Sequence, residues 1–210
     1  MKTRLFTHDD IAQIIKIIKD GGIVAFPTDT VYGLAARYDR KEAYDLLKQA
    51  KQRPDNKPFP MLVESLEQIE MVAELNQRDR LLIKRWMPGA ITLVFNKKKT
   101  VADYVTNGFD TIAVRMPDDQ FVLSIINGVG IPLLVPSANI SSLTPALTHQ
   151  EVLEQLDGTI NGVVMGQCAN GVPSTIISTI DDKLKVLRQG PINLEDIERA
   201  LEDTTCKTKN

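Results

Sequence analysis

Histidine, cysteine and long apolar runs are scarce in this sequence, and each scarcity removes a class of protein. The 210 residues hold two cysteines, Cys168 and Cys206. That is too few for a disulfide framework, so both are expected to be reduced thiols in a cytoplasmic protein. The two histidines, His8 and His149, both fall in predicted helix N-terminal turns. So little histidine argues against a His-based metal site, a Ser-His-Asp triad and a Cys-His dyad. No apolar run reaches the ~20 residues of a membrane span. The polar Thr7-His8-Asp9-Asp10 follows the start too closely for a signal-peptide core. There is no G-x-x-x-x-G-K-[ST] phosphate loop and no G-x-G-x-x-G fingerprint; Gly128-Val129-Gly130 comes nearest and reads as a turn before a strand.

What remains is an ordinary soluble composition, with 43% hydrophobic and 25% charged residues. Lys and Arg number 25 against 27 Asp and Glu, a net charge of −2. The length fits one domain that buries about 70% of its unfolded surface. Cations cluster locally, from Arg37 to Lys57 and again from Arg78 to Lys99.

Helix and strand signals alternate along the chain. Thr7 is expected to cap a helix carrying Ile11, Ile14, Ile15 and Ile18, stopped by Gly21-Gly22. Further helices are expected over 41–50, 66–75, 77–87, 120–126 and 148–156, with a last one of about nine residues capped by Asn193. Strands are expected at 23–26, 31–35, 61–63, 91–95, 111–115, 132–135, 162–165, 174–180 and 184–188, the last two forming a hairpin. Some neighbours are joined too tightly for a parallel crossover, so the fold class is α/β with a mixed sheet. One domain is expected over 1–202, and 203–210 reads as a disordered polar tail.

Four polar clusters lie at strand ends, where open α/β sheets build sites. Pro27-Thr28-Asp29-Thr30-Val31-Tyr32-Gly33 gathers hydroxyls, a carboxylate and a phenol. In Lys51-Gln52-Arg53-Pro54-Asp55-Asn56-Lys57-Pro58, an extended backbone points Lys51 and Arg53 to the same side, and three cations together call for an anion. Pro136-Ser137-Ala138-Asn139-Ile140-Ser141-Ser142 offers small hydroxyls and an amide that either bind a ligand or cap a helix. Arg115 and Arg188 end otherwise apolar strands, and each needs a carboxylate or a bound anion.

Taken in order, these motifs resemble the threonylcarbamoyl-AMP synthase (YrdC-like) family over residues 8 to 190. The resemblance rests on Phe26 to Leu34, Lys51-x-Arg53-Pro54-x-x-Lys57-Pro58, Pro88-Gly89-x-x-Thr92, Thr111-x-x-x-Arg115-x-Pro117, Pro136-Ser137-Ala138-Asn139-x-Ser141, Pro173-Ser174-Thr175-Ile176 and Arg188-x-Gly190. It implies a twisted mixed sheet with flanking helices around a deep, positively lined cavity. It also implies synthesis of threonylcarbamoyl-AMP and pyrophosphate from L-threonine, bicarbonate and ATP, for modification of tRNA by a downstream threonylcarbamoyl-transferase complex. By the resemblance Lys51, Arg53, Lys57, Thr111, Asn139 and Arg188 hold ATP, with Lys51 and Arg53 acting electrostatically. Thr30, Tyr32, Arg115, Ser137 and Ser174 hold threonine. No general acid or base is assigned, and Mg²⁺ is expected on the ATP phosphates rather than on protein side chains.

The sequence departs from the family pattern where a glycine often follows Ser-Ala-Asn-x-Ser. Ser142 stands there, so this loop is expected to differ. Some relatives have a histidine after the Lys/Arg motif, and Pro60-Met61-Leu62-Val63 has none. The competing readings are a module binding tRNA or double-stranded RNA, and an inactive paralogue. Against the first stand a pI near 5.8 and an aromatic content of only 5%.

Overall fold

The structure, a computed structural model, describes residues 2–169 and 171–207. In chain order the strands are β1 (Arg4–Phe6), β2 (Val24–Phe26), β3 (Gly33–Arg37), β4 (Met61–Leu62), β5 (Ala73–Glu74), β6 (Ile91–Lys97), β7 (Thr111–Arg115), β8 (Leu133–Leu134), β9 (Gly162–Val164), β10 (Thr175–Ser178) and β11 (Lys185–Arg188). The helices are α1 (Ile11–Lys19), α2 (Lys41–Ala50), α3 (Leu66–Val72), α4 (Gln77–Trp86), α5 (Gln120–Val129), α6 (His149–Leu156) and α7 (Leu194–Lys207).

The strands join in one mixed sheet of order β1-β9-β2-β3-β8-β4-β7-β6-β10-β11, with β5 paired to β6. β9 runs parallel to both β1 and β2, β4 parallel to β7, and β10 parallel to β6. The remaining pairs are antiparallel, including the expected β10–β11 hairpin.

Period-two alternation distributes side chains to two cores. Val24 and Phe26 of β2, with Ala35 of β3, pack under α1 and α5 with Ile14, Ile18, Val122 and Ile126. Ala25, Leu34 and Ala36 turn to the other face and join the larger core with Leu47 of α2, Leu82 of α4 and Val152 of α6. Both faces of β2 and β3 are therefore covered. That is why they read as continuous apolar runs rather than as alternating ones.

Several boundaries differ from expectation, each for a local reason. β1 was not foreseen; its three residues carry no alternation, and pairing with β9 alone makes it a strand. A short 3₁₀ turn over His8–Asp10 precedes α1, and the Asp10 carboxylate accepts from both the N–H and the hydroxyl of Thr7. β3 begins at Gly33, leaving Val31 and Tyr32 in the turn before it. After α3, Ala73–Glu74 extends to pair with β6 instead of continuing the helix. α5 runs on through Gly128, where an added Cβ would lie 2.3 Å from Ile15 Cδ1, so a larger residue there would require the Ile15 side chain to move. Asn193 does precede α7, which reaches Lys207, into the segment expected to lack structure. Residues 208–210 lie outside those described.

Candidate active site

A cleft of about 430 Å³ opens across β4, β7, β6, β10 and β11. Its floor follows strand geometry. Residues two apart on a strand share a face, so Thr111, Ala113 and Arg115 of β7 all line it, as do Thr92 and Val94 of β6. The turn 28–33, the segment 53–60, the strand-end residues Val135 to Ser137, and Ser174 close its sides. Phe109, Pro145, Pro173 and Leu187 add apolar surface, with Phe109 and Leu187 about half exposed.

Arg115 anchors one part of the cleft. Only 5% exposed, it donates from Nε to Gly89 O at 2.9 Å and from Nη1 to Thr30 Oγ1 at 2.8 Å. Its Nη2 meets Asp29 Oδ2 at 2.5 Å. Burial lowers the guanidinium pKa, and the Asp29 charge opposes that. Thr28 holds the turn rigid: its hydroxyl donates to Val31 O and accepts the Thr30 N–H. Gly33 is needed where the turn enters β3, since a Cβ there would lie 2.6 Å from Val135 Cγ1.

Arg188 and Arg53 are differently placed. Arg188 donates from Nε and Nη2 to Ser174 O and from Nη2 to Ser174 Oγ, which also bonds Thr92 Oγ1 at 2.8 Å. Arg53 donates to the carbonyls of Lys57 and Pro58, both at 3.0 Å, and lies over the Phe59 ring. Burial depresses the pKa of both, and Arg115 adds repulsion at Arg188. Neither has an ion-pair partner among the described residues. Two guanidiniums satisfied only by neutral carbonyl and hydroxyl oxygens leave positive charge for an anion to neutralise.

The structure thus gathers Thr30, Tyr32, Arg53, Thr111, Arg115, Ser137, Ser174 and Arg188 around one space. Tyr32 contributes its body rather than its hydroxyl, which donates to Val164 O; burial drives its pKa upward. Lys51, Lys57 and Asn139 are not on the cleft surface. Lys57 is exposed on the outside of its loop. Asn139 is buried, with Nδ2 donating to Ile140 O and Leu143 O.

Lys51 is fully buried, its Nζ bonded to the carbonyls of Ser137 and Asn139. The expectation that Lys51 and Arg53 point to the same side fails because the intervening backbone is not extended. Lys51 is the C-cap of α2 and Gln52 turns left-handed at φ 47°, so the two side chains part, one into the interior and one into the cleft. Burial, with repulsion from Arg53, pulls the Lys51 pKa down to about 7.

Asp29 as the counter-ion of Arg115 and the apolar rim at Phe109, Pro145 and Leu187 were not singled out from sequence. A lone aromatic between Gly108 and Asp110 was the available signal for the rim. No group of three or more His, Cys, Asp or Glu placed to hold a metal ion occurs among the described residues.

The mixed sheet and the arginine- and hydroxyl-lined cleft on its face define a single-domain α/β protein with a polar, cationic cleft. More particularly, the chain belongs to the Sua5/YciO/YrdC family, whose model Sua5_yciO_yrdC, described as Telomere recombination, matches residues 16–190. It is 37% identical over 201 residues to the threonylcarbamoyl-AMP synthase of Bacillus subtilis (strain 168), covering 94% of this chain and 58% of that one. The structure of Pyrococcus abyssi Sua5 complexed with L-threonine superposes with a TM-score of 0.89 at 34% identity, covering 95% of this chain and 61% of the other. Escherichia coli YciO shares the fold, with a TM-score of 0.85 at 21% identity over 93% of this chain and 99% of its own. The chain therefore spans little more than half the length of the Bacillus and Pyrococcus relatives. No helix among the described residues is long and apolar enough to cross a membrane.

Proposed function

We propose that this chain is an L-threonylcarbamoyladenylate synthase, a nucleotidyltransferase acting in tRNA modification. The amine of L-threonine takes up bicarbonate with loss of water, giving an N-carboxylated threonine. The new carboxylate attacks the α-phosphate of ATP, and pyrophosphate leaves as the P–O bond to it breaks. The observation that carries this reading is the contrast among the cleft arginines: Arg115 is neutralised by Asp29, whereas Arg53 is met by carbonyls and Arg188 by the carbonyl and hydroxyl of Ser174, with no carboxylate at either among the described residues.

In this reading Arg115 takes the threonine carboxylate with Thr30, Tyr32, Ser137 and Ser174 around it. Arg53 and Arg188 face the phosphates, and Lys57, Thr111 and Asn139 complete the nucleotide side. The attack joins two anions, so fixed cations lower the barrier more than a proton transfer would. Holding the carbamate in line contributes an entropic advantage of up to ~7–11 kcal/mol. Mg²⁺ would arrive on the triphosphate and add charge neutralisation there. The product, a mixed anhydride, is then an acyl donor for a separate transferase complex.

The test is pyrophosphate release from ATP and Mg²⁺ with L-threonine and bicarbonate, each omitted in turn, with L-serine as control. Release that needs both is expected. ATP binding without release would favour the inactive paralogue. Salt-sensitive RNA binding with no ATP binding would favour an RNA module.

A further inference from the structure

Lys51 makes three bonds to one loop. Its Nζ donates to Ser137 O and to Asn139 O, the latter at 2.6 Å, and its own carbonyl accepts the Ser141 N–H at 2.8 Å. The loop needs such a hold. Ser142 sits at φ 75°, in the left-handed region that favours glycine, and the buried Asn139 Oδ1 and Ser141 Oγ have no hydrogen-bond partner among the described residues. A segment with strained backbone and orphaned polar atoms keeps its shape only where its surroundings impose it. On the side toward the strands, Ala138 N–H donates to Tyr32 O at 2.7 Å and Leu34 N–H to Pro136 O at 2.8 Å. On the other side the hold is Lys51, joined by Gln155 of α6, whose Oε1 accepts the Ile140 N–H at 3.0 Å.

We propose that Lys51 is a positioning residue: by gathering the carbonyls of Ser137 and Asn139 it sets the 137–142 loop, and through it both halves of the substrate site, without touching either substrate. The proposal rests on the synthase reading for the identity of the ligands. It departs from the resemblance, which puts Lys51 on the phosphates. With no exposed surface and both carbonyls in hand, the ammonium is spent on the loop. Ser137 faces the cleft and Asn139 packs behind it, so one lysine is coupled to the threonine side and the nucleotide side together. Arg53 is the charged group acting on Lys51, and its repulsion favours loss of the lysine proton, which loosens the hold.

The experiment is calorimetric binding of AMP, ADP, ATP and L-threonine to the wild-type chain and to Lys51→Met. A positioning role predicts a loss of about tenfold that is equal for the three nucleotides and similar for threonine. A loss confined to nucleotides and growing from AMP to ATP would overturn it, since that is the signature of a phosphate contact. Should Lys51→Met fail to fold, the wild type supplies a second measurement. Threonine affinity should fall severalfold between pH 6 and 8 as the ammonium is lost, and a flat profile would overturn the proposal. If the wild type binds none of these ligands, the synthase reading fails by itself. Amide exchange over 137–142 then decides the loop's dependence: faster exchange in Lys51→Met supports it, and unchanged exchange overturns it.

Discussion

At the scale of single residues, the pair Arg115–Asp29 joins stability to recognition. Arg115 is almost fully buried, and Asp29 meets it from a side chain that is 16% exposed. Removing one partner of such a pair leaves a charge in poor surroundings. Arg115→Ala should therefore lower stability by about 2–4 kcal/mol, and adding Asp29→Ala should recover at least half of that. Threonine affinity, by contrast, should fall about 10- to 100-fold in both variants, with ATP affinity little changed; Arg53→Ala should do the reverse. Denaturant melts and calorimetry separate the two effects. Recovery of threonine binding in the double variant would contradict the assignment of Arg115 to the carboxylate.

Much of this site was legible residue by residue because strand periodicity is a strong constraint. Thr111 and Arg115 had to share a face, and Ser137 and Ser174 had to lie at strand ends. Lys51 was not legible. Whether a helix C-cap side chain turns inward depends on how the helix ends, and a Lys-x-Arg spacing is silent on that. Asp29 as the partner of Arg115 was equally hidden, because their contact joins residues 86 apart in sequence.

Among the elements, the end of α2 shows what the sequence pattern lacked. Arg53 N–H donates to Lys48 O, and Gln52 N–H to Gln49 O, both at 3.0 Å, the two bonds of a Schellman motif. Glycine is the usual residue at its left-handed position, and Gln52 occupies it here. Ser142 stands likewise where glycine would be at ease, so its loop keeps a glycine-like conformation despite the change of residue. Gln52→Gly should raise stability by about 0.5–1 kcal/mol, a gain of roughly 1–4 °C in Tm, without moving Arg53 out of the cleft. Thermal unfolding with ATP binding as a companion checks both halves of that statement. Helices were read well because caps and periodicity are local. β1 and β5 were missed because two or three residues become a strand only through a partner.

For the molecule as a whole, burying Lys51 gives stability a pH dependence of definite sign. Its pKa is near 7 in the folded chain and near 10.5 unfolded, so above pH 7 the unfolded state binds more protons. Stability should accordingly rise with pH from 7 toward 10.5, by at most about 2 kcal/mol over the first 1.5 units. The buried Tyr32 and the partly buried Cys168 work in the opposite sense, but only above their ordinary values of 10.0 and 9.0. Chemical denaturation between pH 7.0 and 8.5 isolates the lysine, and the slope should vanish in Lys51→Met. A flat wild-type profile over that range would mean that the ammonium keeps its proton in the folded chain and is better housed than its burial implies.

The strand order also sets a clock on synthesis. β1 lies against β9, and β2 is flanked by β9 and β3, so strands at the start of the chain wait for Gly162–Val164 to be made. At ~5–20 residues per second that wait is roughly 8–30 s. Until β9 leaves the ribosome, Arg4–Phe6 has nothing to pair with and Val24–Phe26 presents one open edge. The nascent chain thus carries apolar β-edges through most of its translation, a period in which a chaperone has more to do for the first strands than for the last.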